Sequence, residues 1–191
     1  MILTQSAPAA VTPVSLSEFS AHLRLANGFP DDGAEDALLQ LYLDNAVAAV
    51  EARTGLALIR RGFVLRTAGW DRAGHAVLPV GPVEAIGALR FVQGTAAIDV
   101  DPASWALEPG TARQRVTGPY GEALPPIPDG YVAEFTFDAG FGATATDVPG
   151  DLRQAVTLLA ADFYERRFDG EGPGIPVAVR GLLAPWLPVR I

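Results

Sequence analysis

Apolar positions recur along this chain in two rhythms, helical towards both ends and alternating in the middle. Over residues 15–25, Ser15 can cap a helix, Glu18 three places on can reach back to it, and Val14 can staple against Phe19. A short first helix is therefore predicted, ending by Asn27-Gly28. A second helix is predicted over 35–54. Leu38, Leu41, Tyr42, Ala46, Ala49 and Val50 recur at helical spacing, Asp36, Gln40, Asp44 and Glu51 fall on the far side, and Gly55 stands where a C-terminal cap belongs. Leu39, Leu43 and Val47 widen the apolar face, so this helix is expected to be covered on two sides. A third helix is predicted over 149–167, where Leu152, Ala155, Val156, Leu159, Ala160 and Phe163 follow i, i+3, i+4, i+7 spacing behind Pro149 and Asp151.

Between the second and third helices, over 58–137, the pattern changes to short β-like runs separated by Gly and Pro: 58–66, 77–80, 85–92, 96–100, a stretch near Trp105, and 131–137. In the last run, residues 131, 133, 135 and 137 alternate with Val132, Glu134 and Thr136, which turns the aromatic face inward. The fold class predicted is α+β: a helical body of three main helices, an antiparallel β-rich middle insertion, and an extended apolar C-terminal tail. Residues 1–169 are read as one domain. A Gly/Pro hinge at 170–176 begins the segment 170–191.

That segment is the unusual one. Chain ends are mostly polar and frayed, whereas Val179, Leu182, Leu183, Trp186, Leu187 and Val189 make this one apolar. Each such side chain stabilises an association by roughly 1.5–3 kcal/mol when buried, so the tail is expected either to fold back on its own domain or to dock on another chain. Docking is the preferred reading. Truncation after Pro173 is then expected to leave a folded protein that has lost its partner.

Composition narrows the function. A chain of 191 residues is long enough to bury a core without staples. It has no Cys, which removes thiolate catalysis, Cys-based zinc sites and disulfides together. Neither a signal-peptide pattern nor an apolar run of about eighteen residues occurs, so no membrane partner is expected. A net charge of −8 argues against a surface that grips phosphates. Every basic side chain is Arg, a bias that fits a GC-rich genome.

Catalytic motifs are missing as well. His22 and His75 have no partner at motif spacing. The acids at Asp31, Asp32, Glu35 and Asp36 suit a helix start better than a calcium loop. Gly140-Phe141-Gly142 and Gly172-Pro173-Gly174 read as turns, because neither lies between a strand and a helix in a βαβ unit. Asp99 and Asp101 suit a solvated edge, and Asp162, Glu165, Arg166 and Arg167 can form ion pairs at helical spacing. No catalytic, cofactor or metal residue is assigned.

Several stretches, taken in order, carry a resemblance. They are Pro13-Val14-Ser15-Leu16-Ser17-Glu18 with His22-Leu23-Arg24; Thr54-Gly55; Leu78-Pro79 with Pro82-Val83; Val132 to Phe137 leading into Gly140-Phe141-Gly142; Val148-Pro149 with Leu152-Arg153-Gln154-Ala155 and Tyr164-Glu165-Arg166-Arg167; and Leu182-Leu183-Ala184-Pro185-Trp186. Over nearly its whole length the chain resembles the head-tail connector (adaptor) proteins of long-tailed bacteriophages and gene transfer agents. The resemblance implies a non-enzymatic structural protein of the virion neck, assembled in the bacterial host cytoplasm. It implies a homo-oligomeric ring of about twelve copies beneath the portal protein, a downstream neck or tail protein as second partner, and DNA passing through the channel without specific binding. The apolar tail, Val179, Leu182, Leu183, Trp186, Leu187 and Val189, would then meet the portal. Leu39, Leu43, Glu165, Arg166 and Arg167 would meet neighbouring subunits. Alternatives are a tail-completion protein on the tail tube, a small carboxylate-dependent hydrolase needing two convergent acids, and a regulatory DNA-binding domain, which the acidity disfavours.

Overall fold

The structure is a computed structural model that describes residues 1–24, 35–111, 113–166 and 174–187. It is α+β and divides into two compact units, one of Met1–Ala10 with Gly55–Ala143 and one of Val11–Thr54 with Thr144–Ile191.

The first unit is built on strands. β1 (Ile2–Gln5), β2 (Arg61–Thr67), β4 (Val83–Gln93), β5 (Ala96–Asp99) and β8 (Val132–Ala139) form an antiparallel sheet in the order β1-β2-β8-β4-β5. A smaller sheet orders β3 (Ala76–Val77), β7 (Arg115–Thr117) and β6 (Ala106–Leu107) as β3-β7-β6. Alternation in β8 decides which face is covered: Ala133, Phe135, Phe137 and Ala139 are buried while Asp138 is exposed. Phe137 stacks on Phe63 of β2 at 5.7 Å between centroids, in a register that places the two residues opposite one another. Trp70 meets Phe135 edge-on and donates its indole N–H to the Pro125 carbonyl at 2.9 Å. Gln114, only 6% exposed, uses its amide on the backbone of Val83, accepting from the N–H and donating to the carbonyl.

Gly140 is fixed by its backbone. Its φ of +135° is a region that only glycine occupies easily, and a Cβ there would run into the backbone of Arg60 and Ile59. The chain turns there as the sequence predicts, and the Arg60 N–H donates to the Gly142 carbonyl at 2.8 Å. Asp99 and Asp101 serve separate ends. Asp99 pairs with Arg90 at 2.6 Å, and Asp101 caps the short turn Pro102–Ser104 by accepting from the Ala103 N–H.

The second unit is helical, with α1 (Leu16–His22), α2 (Asp36–Thr54), α3 (Gly150–Glu165) and α4 (Val177–Leu183). α1 starts with the predicted reciprocal cap, in which the Ser15 hydroxyl accepts from the Glu18 N–H and the Glu18 carboxylate accepts from the Ser15 N–H. Val14 and Phe19 are both buried beside it. α1 and α3 pack on α2, and α4 packs on α3. Arg153 of α3 ties in the first helix, donating to the Pro13 carbonyl at 2.9 Å and to Glu18 at 2.7 Å. Tyr42 and Tyr164 meet edge to face at 6.0 Å between centroids.

Two features differ from the sequence reading. α2 buries Leu39, Leu43, Ala46 and Val50, and leaves Leu38 at 39% and Leu41 at 53% exposure. With apolar residues on both sides of the helix, periodicity alone does not say which side meets the core. The tail is also not extended where it is described. Residues 177–183 form the fourth helix, followed by the short turn Ala184–Trp186.

Candidate assembly surfaces

Each apolar residue of the C-terminal segment lies differently. Val179 and Leu183 have no exposed surface, so they belong to the protein's own interior and offer nothing to a partner. Leu182, Trp186 and Leu187 are half-buried, and Val189 lies outside the described residues. Trp186 is tied back by its indole N–H, which donates to the Asp151 carboxylate at 2.7 Å in the first turn of α3. The outward part of this segment is therefore formed by Leu182, Leu187 and the open side of Trp186, together with Val177, which is 74% exposed.

The residues expected at subunit contacts also separate. Leu39 and Leu43 are 3% and 0% exposed, which takes them off the surface. The open seam of α2 is that of Leu38 and Leu41. Arg166 pairs within its own helix with Asp162 at 2.9 Å, while Glu165 is exposed and Arg167 lies outside the described residues.

The remaining chemistry is sparse. His22 is exposed at the end of α1, and His75 sits in a loop with its Nε2 at 3.2 Å from the Gly121 carbonyl. Among the described residues there is no group of three His, Asp or Glu that would hold a metal ion, and no helix is long and apolar enough to cross a membrane. A shallow depression of about 210 Å³ on the main sheet is lined by Ser6, Gly62, Val64, Gly87, Thr136 and Asp138, among others. Asp138 is its one carboxylate, whereas acid–base hydrolysis asks for two with different proton affinities. Glu18 and Asp71 are both shifted downwards, chiefly by local hydrogen bonds. Glu18 is held below its ordinary 4.5 by the Ser15 N–H and hydroxyl with help from Arg153, and Asp71 is lowered chiefly by the His75 N–H, then by that of Ala73. Both shifts belong to a cap and a turn.

No protein-family model matches the sequence, and no curated protein matches it significantly. Solved particle structures do. A chain in the neck of an empty gene transfer agent particle, treated in C6 symmetry, is 44% identical, with the match covering 100% of this chain and 97% of that one at a TM-score of 0.88. A chain in the virion of a native gene transfer agent particle is also 44% identical over the same coverage, at a TM-score of 0.86. A chain in the neck of a native particle, treated in C12 symmetry, is 40% identical at a TM-score of 0.82. The chain belongs to the phage and gene transfer agent neck-protein family. Its location is accordingly the virion or virus-like particle. On the helical unit, the large apolar side chains left exposed among the described residues are Val11, Leu38, Leu41 and Val177.

Proposed function

We propose that this protein is a structural head-tail connector whose copies form a ring beneath the portal, join the DNA-filled head to the tail, and line the DNA exit. The observation that carries this reading is the similarity, over the full chain, to proteins in gene transfer agent necks treated in C6 and C12 symmetry. A ring uses many weak contacts together. Linking copies raises the effective concentration of each docking segment, so a modest apolar patch per copy holds a joint that a single copy would not.

In this reading no bond is made or broken. The portal is met by the half-buried Leu182, Trp186 and Leu187, together with Val189, which lies outside the described residues. Val179 and Leu183 act behind them by fixing α4 in place. A net charge of −8 suits a wall that repels phosphates and lets DNA pass. The second reading, a tail-completion protein bound to the tail tube, shares the ring but changes the partner. A pull-down with purified portal and, separately, with tail tube tests the choice. Retention on portal that falls when Leu182 and Leu187 are changed to Ser is the expected result, and retention on tail tube alone would overturn the portal assignment.

A further inference from the structure

α2 carries an apolar seam on one side and, on the other, a seam that is apolar apart from Asn45. At about 100° per residue, Leu39, Leu43, Ala46 and Val50 form one, which is buried. Leu38, Leu41, Asn45, Ala48 and Ala52 form the other, about half a turn away, and all five are exposed. A solvent-facing seam of this spacing, leucines at one end and small residues at the other, has the form of a helix-packing surface. Asp44, whose carboxylate accepts from Gln40 at 2.8 Å, gives it an acidic flank one turn from Leu41.

α4 presents the counterpart. Its buried side is Val179 and Leu183, and its open side is Val177, Arg180, Gly181 and Ala184. Val177 is 74% exposed, and the Arg180 guanidinium has no partner among the described residues. One open surface thus pairs Leu41 with an acid three residues on, and the other pairs Val177 with a base three residues on. α3 packs against both helices. The unit therefore carries an apolar surface with an acidic flank on α2 and an apolar surface with a basic flank on α4.

A closed ring of more than two copies needs two different, complementary surfaces on every subunit. We infer that the open seam of α2 in one copy packs against the Val177–Arg180 side of α4 in the next, with Asp44 facing Arg180. The inference rests on the ring reading above and names the surfaces that close it. It also divides α4 between two partners: Val177 and Arg180 face the neighbouring copy, while Leu182 on another side of the helix stays with the portal.

The absence of cysteine makes the test clean. A disulfide needs Cα atoms within about 7 Å, so covalent oligomers report that Leu41 of one copy lies beside Val177 of another, and a cross-linked monomer would count against the assignment. The full chain carrying both Leu41→Cys and Val177→Cys is oxidised gently, alone and with portal-bearing heads. A ladder of covalent oligomers is expected from the double variant, and dimers only from a mixture of the two single variants. Asp44→Arg and Arg180→Asp should each lower the assembled fraction about tenfold, and combining them should restore most of it, as charge pairs across interfaces do. Self-linking by either single variant, or a ring of normal mass whose paired cysteines stay free, would overturn the assignment of surfaces and leave the ring standing. Absence of any ring from the unsubstituted chain with portal present would overturn the ring reading itself, and this inference with it.

Discussion

Leu183→Ala isolates what the C-terminal helix does for its own protein. Leu183 is 0% exposed, and truncating a buried leucine costs the transfer free energy of the lost carbons plus that of the cavity left behind, about 3 kcal/mol. A domain's whole stability is about 5–15 kcal/mol, so the loss is large but survivable. At about 2–4 °C per kcal/mol for a chain of this size, the melting midpoint should fall by about 6–12 °C. Leu182→Ala, at a half-buried position on the next face of the same helix, should shift it much less. Thermal unfolding followed by circular dichroism makes the comparison, with portal retention measured below both midpoints. The folded fraction of Leu183→Ala should bind portal as the unsubstituted chain does, whereas Leu182→Ala should bind it more weakly. An unchanged midpoint for Leu183→Ala would refute the reasoning, because α4 would then not be packed on α3 in solution. The same packing changes what truncation does. Removing residues after Pro173 strips Val179, Leu183 and the Trp186–Asp151 hydrogen bond from α3, so the shortened chain should be destabilised as well as unable to dock.

Three further outcomes follow from the fold. Gly140→Ala should cost about 3 kcal/mol or more, read as a lower urea midpoint or loss of soluble yield, since a Cβ at φ +135° meets the Arg60 and Ile59 backbone. Gln114→Leu should cost about 2–4 kcal/mol in urea unfolding, because it leaves the N–H and carbonyl of Val83 buried without their partner. Glu18→Gln should cost about 0.5–1 kcal/mol, the discounted value of an exposed cap. Because the Glu18 pKa is lower folded than unfolded, its contribution is present above its ordinary 4.5 and is lost as pH falls through the folded value. Unfolding curves of the two proteins should therefore converge in acid and separate above pH 4.5.

Much of this fold is legible in the residues because several elements carry their own local signals. The Ser15/Glu18 pair predicts the start of α1, the i, i+3, i+4, i+7 run from Leu152 predicts α3, and the alternation from Ala133 to Phe137 predicts which face of β8 is covered. Where the pattern is symmetric it fails. α2 has apolar residues on both sides, and only tertiary packing, with α1 and α3 laid against this helix, settles that Leu39 and Leu43 are inside while Leu38 and Leu41 are out. α4 was findable: Val179, Leu182, Leu183 and Trp186 fall at i, i+3, i+4, i+7, but the prolines on both sides draw attention to a hinge instead. β1 carries no signal in four residues and exists because it pairs with β2 from the other end of the sequence separation, Ile2 opposite Arg66. The proposed assembly surfaces are the least legible part. Apolar residues at the end of a chain look alike whether they serve an interior or a partner, and the difference between Leu183 and Leu182 is only which way a helix is turned.

In the proposed ring, many copies of this chain meet at one portal. Native mass measurement of the full chain mixed with purified portal tests it most directly. One discrete complex is expected, in which a ring of this protein sits on one portal ring, with no intermediate of a single bound copy dominating. A chain that stays monomeric beside an unliganded portal, at concentrations where both are folded, would contradict it.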